Sequence, residues 1–227
     1  MAVRTEGWAR RSASVAWVLM IATVLLAGCG APAYTYVTNS AEHTYLKVPS
    51  AWQQINQKEL ESALGVDPGF SAADQGLWLV AYDAAATPSL SHLLGAQAEV
   101  PAVLVGVKDL PTSARGQVSF DNLRDFFFPV SPAGRQADAA DPTAQRTGFQ
   151  LFADEVLTPG KGVRGVHVVF RYSFAGGPPQ MFDQTTYVND DASKIYMFFV
   201  RCSTECYTKR QEEISTVVSS FTVQEKT

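Results

Sequence analysis

The sequence predicts an α+β domain, a central antiparallel β-sheet flanked by helices, and three features carry that expectation. Four apolar runs of strand length follow one another between residues 149 and 202, joined only by "TPGKG", "AGGPP" and "NDD". Connections that short join antiparallel neighbours. An amphipathic segment closes the chain, with Tyr207, Ile214, Val217, Val218 and Phe221 on one helical face. A second helical pattern lies near the start of the domain, so strands dominate the second half and helices lie near both ends.

Residues 1–28 read as an export signal. Arg4, Arg10 and Arg11 form a basic start, and no charge follows from Ser12 to Cys29. The apolar core "VAWVLMIATVLLAG" is about 14 residues long, short of the ~18–20 that span a bilayer. Its end, Leu26-Ala27-Gly28 before Cys29, resembles the lipobox of bacterial lipoproteins. The resemblance implies cleavage before Cys29 and acylation of its thiol with long chains such as palmitate. The mature chain would then be an extracytoplasmic protein anchored by lipid to the cell membrane. The other reading is an uncleaved membrane helix with an incidental cysteine, which Pro32 and the Gly/Ala residues after Cys29 suit poorly. Two or more acyl chains give stable anchoring without a spanning helix. Residues 29–43 would be a membrane-proximal linker, reaching at most ~50 Å, and 44–224 the folded domain.

Along that domain, "TYLKVPSAW" alternates as a strand and stops at Pro49. "NQKELESALG" reads as a helix with Asn56 as N-cap, Glu59 three residues on and Gly65 as its stop. "GLWLVAYDA" and "AVLVGVKDL" have strand length. "SFDNLRDFFFP" is a short helix capped by Ser119 and ended before Pro129. Residues 131–148 carry no large apolar side chain and are expected to form a mobile loop. Then come "FQLFADEVL", "VRGVHVVFRYSF", "QMFDQTTYV" and "SKIYMFFVRC" as a meander, and the final helix packs on the sheet.

The net charge of the whole chain is −4; residues 1–28 hold three Arg and one Glu, so their removal takes it to −6. An acidic body without a Lys/Arg cluster argues against a nucleic-acid partner and against electrostatic docking on anionic lipid.

Cysteine use follows the compartment. With Cys29 assigned to lipid, Cys202 and Cys206 remain, in a location that permits disulfides. On one helix, residues four apart have Cβ atoms ~5–6 Å apart, wider than the ~3.5–4.5 Å of a disulfide. Cys202 is therefore expected to end a strand and Cys206 to sit in the first turn of the next helix, with Ser203 or Thr204 as N-cap. Two free thiols, or a redox or metal pair, remain the alternatives to a structural clip. A redox pair more often reads C-x-x-C, and zinc would need further Cys or His.

A strand ending in Pro and closed by Trp, "YLKVPSAW", and a terminal helix running into "VVSSFTV" resemble the Mog1/PsbP-like family, whose fold actinobacterial lipoproteins of the LpqN type share. The resemblance spans about residues 44–224. It implies an α/β/α sandwich and a non-catalytic role, since its members include a GTPase-binding protein of nuclear transport and a photosystem accessory subunit. No catalytic residue and no cofactor come with it.

The residues agree with that absence. No G-x-S-x-G, H-E-x-x-H, P-loop or dinucleotide fingerprint occurs, and His43, His92 and His167 are scattered. Asp154-Glu155, Asp190-Asp191 and Glu212-Glu213 are sequence neighbours, and on a strand such neighbours point to opposite faces. Asp190-Asp191 reads as a hairpin turn. The run Phe126-Phe127-Phe128 cannot face one core from one helix, so it is either covered on two sides or contributes a ring to a ligand-binding pocket. Two functions from different classes follow: an accessory module that binds a protein partner at the membrane surface, and a carrier or sensor of a small apolar ligand or envelope lipid.

Overall fold

A computed structural model describes residues 32–225. Two sheets, seven α-helices and one 3-10 helix (Ala73–Gln75) lie among them. The small sheet has the order β1 (Tyr34–Asn39), β2 (Thr44–Pro49), β10 (Thr222–Val223). The large sheet runs β3 (Gln53–Gln54), β4 (Leu77–Asp83), β5 (Ala102–Asp109), β9 (Lys194–Ser203), β8 (Gln180–Asn189), β7 (Val163–Phe174), β6 (Arg146–Gly160). Every pairing is antiparallel, and β6 to β9 form the expected meander. The helices are α1 (Gln57–Ala63), α2 (Leu90–Leu94), α3 (Thr112–Arg115), α4 (Phe120–Arg124), α5 (Pro132–Ala140), α6 (Thr204–Lys209) and α7 (Gln211–Ser220).

Period-two alternation divides the large sheet into two buried faces. On one, Val80, Val103, Val105, Val107, Tyr196, Phe198 and Val200 meet Val37, Leu46 and Val48 of the small sheet and Ile214, Val217 and Phe221 at the C-terminal end. On the other, Leu79, Leu104, Phe170, Phe182, Met197 and Phe199 are covered by Leu60 of α1, Leu93 of α2 and Phe126 to Phe128. The result is a layered sandwich with the large sheet in its middle.

Three departures from the sequence reading have plain causes. The folded domain starts at Tyr34, so part of the segment 29–43 read as linker is a strand: β1 pairs with β2 along its whole length. Val37 is its buried residue, too little for alternation to reveal. Residues 131–148 are not a loop throughout, because α5 occupies Pro132–Ala140. That helix buries nothing and stands on its cap. Ser131 Oγ accepts from Gly134 N at 3.0 Å, with Pro at the first helical position. Asp125 Oδ1 in turn accepts the N–H groups of Val130 and Ser131, both at 2.7 Å. Lastly, the terminal helix is two, α6 and α7, meeting at Arg210. The caps read from sequence at Asn56 and Ser119 are in place.

At the far edge, β6 carries three register shifts against β7 and exposes Leu151, Phe152 and Val156.

Candidate functional site

Cys29 lies outside the described residues. Cys202 sits in β9 and Cys206 in the first turn of α6, where Ser203 Oγ accepts from Cys206 N at 3.2 Å. Both are free thiols and both are buried. A hydrogen bond with Cys206, reinforced by burial, pushes the Cys202 thiol far above the usual thiol range. A thiol held protonated is a poor nucleophile and a poor metal ligand.

Phe126, Phe127 and Phe128, the candidate ligand contacts, are half-buried and pack against the aromatic core. The Phe128 ring lies 4.8–6.4 Å from the rings of Phe170, Tyr172, Phe174, Phe182 and Phe199. Phe127 lies 4.6 Å from Phe199. None of the clefts described below is lined by any of the three, and we assign them to packing.

Two imidazole–carboxylate pairs were not visible in sequence. His92 of α2 meets the buried Asp83 (Nδ1–Oδ2 2.6 Å). Asp83 also accepts from the N–H groups of Ala85 and Ser89 at 2.9 and 2.8 Å, so this pair ties down the loop after β4. On the other flank, His167 of β7 meets Asp183 of β8 (Nε2–Oδ1 2.9 Å), and Tyr207 Oη donates to Asp183 Oδ2 at 2.8 Å. The bond to Asp183 holds the His167 pKa up against the opposing effect of burial, with the charges of Asp183 and Glu155 helping. Burial first, and then Asp183, push the Tyr207 hydroxyl well above its usual range. Among the described residues no hydroxyl or thiol bonds the other His167 nitrogen. The trio orients an imidazole without presenting it a nucleophile.

A cleft of about 400 Å³ opens where the β1–β2 turn approaches α1 and the β4–β5 end of the large sheet. Its apolar walls include Leu77, Trp78, Leu79 and Val107, and its carboxylates are Glu42, Glu61 and Asp109. Asp109 comes close because residue 76 is glycine: a Cβ there would lie 2.8 Å from the Asp109 Cβ, and Gly76 has φ +61°. Lys194 bridges two of the carboxylates, at 2.5 Å from Glu42 Oε2 and 3.1 Å from Asp109 Oδ1. Burial works against the Lys194 charge, but its bonds to Glu42 and Asp109 outweigh that and raise its pKa. Glu61 differs. Its Oε1 accepts a neutral amide, Gln57 Nε2 at 2.7 Å, and no Lys, Arg or His lies within ion-pair reach among the described residues. Gln57 Nε2 also donates to the Leu79 carbonyl at 3.0 Å, covering an edge group of β4. A second cleft, of about 660 Å³, lies beside Pro178, Pro179 and α6. Sequence reasoning passed over Glu42, Glu61 and Asp109, whose separations along the chain carry no local signal.

With this architecture described, likeness to known structures can be stated. The solution structure of cyanobacterial PsbP (CyanoP) from Synechocystis sp. PCC 6803 superposes with a TM-score of 0.50 over 88% of this chain and 99% of that one, at 15% identity. The chain has the Mog1/PsbP-like fold. Other structures with this fold match at lower scores. The Ran-binding protein Mog1p of Saccharomyces cerevisiae gives 0.44 at 8% identity, over 85% of this chain and 96% of that one. LpqN of Mycobacterium tuberculosis, involved in cell envelope biogenesis, gives 0.44 at 13%, over 84% and 90%. At these identities the Mog1/PsbP-like fold is shared and nothing finer follows. No protein-family model and no curated protein matches the chain.

Proposed function

We propose that this chain is a non-catalytic accessory module of the cell envelope, tethered through lipid on Cys29, that binds a protein partner at the membrane surface. The supporting observation is the packing of the large sheet. Both faces of the large sheet are packed, and the aromatic residues offered as ligand contacts interlock with one another, so recognition falls to the surface. A His167 without a nucleophile bears against covalent catalysis in the described region. No helix among the described residues is long and apolar enough to cross a membrane, and on this reading the lipid supplies the attachment. An extracytoplasmic location also makes Cys202 and Cys206 a disulfide clip. The two thiols would give up two protons and two electrons to a disulfide-exchange oxidant and tie β9 to α6.

Native mass spectrometry of protein extracted gently from its own membranes tests this reading. The expected result is a chain beginning at an acylated Cys29 and travelling with another polypeptide. A non-covalent adduct of small-molecule mass, lost on denaturation, would overturn it in favour of a ligand carrier.

A further inference from the structure

The small sheet has two unlike faces. Its inner face sends Val37, Leu46 and Val48 into the core. Strand alternation then turns Tyr34, Tyr36 and Thr38 of β1, and Tyr45, Lys47 and Pro49 of β2, outward. Tyr36 is 74% exposed and stands directly opposite Lys47. Lys47 Nζ lies over the Tyr34 ring, 4.6 Å from its centroid. None of the three tyrosines joins a core cluster among the described residues. Neither strand contains a carboxylate, although the chain as a whole is acidic.

The covalent chain limits where this face can lie. Five residue steps separate Cys29 from Tyr34, so the start of β1 stays within ~18 Å of an acylated Cys29. Tyr36 is two residues further on, within about 25 Å. A tether so short holds the adjacent face at the bilayer at an effective concentration on the order of millimolar. Contacts too weak to recruit the free domain are populated under that condition.

Side-chain chemistry selects the occupant. Tyrosine has an apolar ring with a polar tip, and lysine an apolar stem with a charged head. Both suit the headgroup layer of a bilayer, apolar below and wet above. A single lysine is not a polybasic patch, so attraction to anionic lipid is not what holds the face.

We propose that the outer face of the small sheet seats the domain on the bilayer, with Tyr34, Tyr36 and Tyr45 among the lipid headgroups and Lys47 reaching a lipid phosphate. This inference rests on the Cys29 anchor proposed above and adds an orientation to it. Helices α1 and α2, which cover the other face of the large sheet, then point away from the membrane.

The test is hydroxyl-radical footprinting, read by mass spectrometry, of the acylated protein in phosphatidylcholine vesicles. The unacylated Cys29→Ser chain in solution is the reference. The expected result is several-fold protection of Tyr36, with smaller protection of the less exposed Tyr34 and Tyr45. Phe152 of β6, 50% exposed, should be oxidised equally in both samples. Protection should not depend on the protein-to-lipid ratio, and adding phosphatidylglycerol should leave it unchanged. Tyr36→Asp should restore the reactivity of Tyr45 while the protein still floats with the vesicles. Floating protein whose Tyr36 is as reactive as in the reference overturns the seating and leaves the anchor standing. Protein that does not float, with Cys29 unmodified, overturns both. Protection that grows with protein density assigns the face to a second copy, and protection confined to anionic vesicles assigns it to charge. Either result also overturns the proposal. These readings use the native tyrosines, so the folding of a Tyr36 variant does not decide them.

Discussion

His167 and Asp183 meet across adjacent strands β7 and β8 at 2.9 Å, and the second Asp183 oxygen is taken by Tyr207 of α6 at 2.8 Å. One buried carboxylate thus joins the sheet to the helix that carries Cys206. The His167 side chain is only 22% exposed and that of Asp183 6%, so solvent screens the pair incompletely.

This pair makes stability depend on pH in a stated direction. The folded pKa of His167 is raised above its ordinary value of about 6.5. The stabilisation is therefore fully present below pH ~6.5 and is lost as pH rises through the folded pKa. Asp183→Asn should cost about 2 kcal/mol at pH 6, a charge-assisted hydrogen bond's worth, and less at pH 8.5. Urea denaturation of both proteins at the two pH values measures it; a cost independent of pH would refute the assignment.

Phe128→Ala should destabilise the domain by about 3 kcal/mol, because its ring touches five others. Phe126→Ala should cost less, its one ring contact among the described residues being Phe127 at 5.0 Å. Thermal unfolding of the two variants side by side gives the order.

Gly165 has no space for a side chain. A Cβ there would lie 2.2 Å from the Thr186 carbonyl oxygen and 2.6 Å from the Tyr187 ring. Backbone on the neighbouring strand cannot swing aside, so Gly165→Ala should cost about 1–3 kcal/mol. Gly116→Ala, with nothing within 4 Å of the added carbon, is the matched control. Equal melting temperatures for the two variants would contradict the register of β7 against β8.

For the cysteines, protein recovered from outside the cytoplasm should be two hydrogens lighter than its reduced form. Reduction should then lower stability by about 2 kcal/mol, the chain-entropy value for so short a loop. Iodoacetamide labelling of Cys202 or Cys206 in unreduced, denatured protein would count against the clip. Separately, Cys29→Ser should move the protein from the membrane pellet to the soluble fraction, and continued pelleting would remove the lipid-anchor assignment.

Much of the fold was legible because its signals are local. Strands β6 to β9 alternate between turn residues, and Asn56, Ser119 and Ser203 announce helix starts by their own chemistry. What escaped lacks such signals. Helix α5 offers no buried side chain to periodicity and depends on Asp125, six residues before its cap, Ser131. Strand β1 shows one buried residue, Val37. The cleft was least visible: Glu42, Glu61, Trp78 and Asp109 come from four different segments, and only the closed fold brings them together. The Phe126–Phe128 run drew attention in sequence because it is conspicuous, and in the fold its half-buried rings lie against the aromatic core.

The small sheet has a consequence for the order in which a growing chain can mature. Strand β2 lies between β1, just before it, and β10 at residues 222–223. Lys47 N donates to Ser220 Oγ at 3.0 Å across 173 positions of sequence. A polypeptide emerging N-terminus first, from a ribosome or a translocation channel, can form the β1–β2 hairpin early, but a lone two-stranded hairpin is marginal in water. Val48, fully buried in the finished molecule, then lacks part of its cover until Ile214, Val217 and Phe221 have been made. The hairpin therefore gains its second flanking strand only once residues 222–223 have been made.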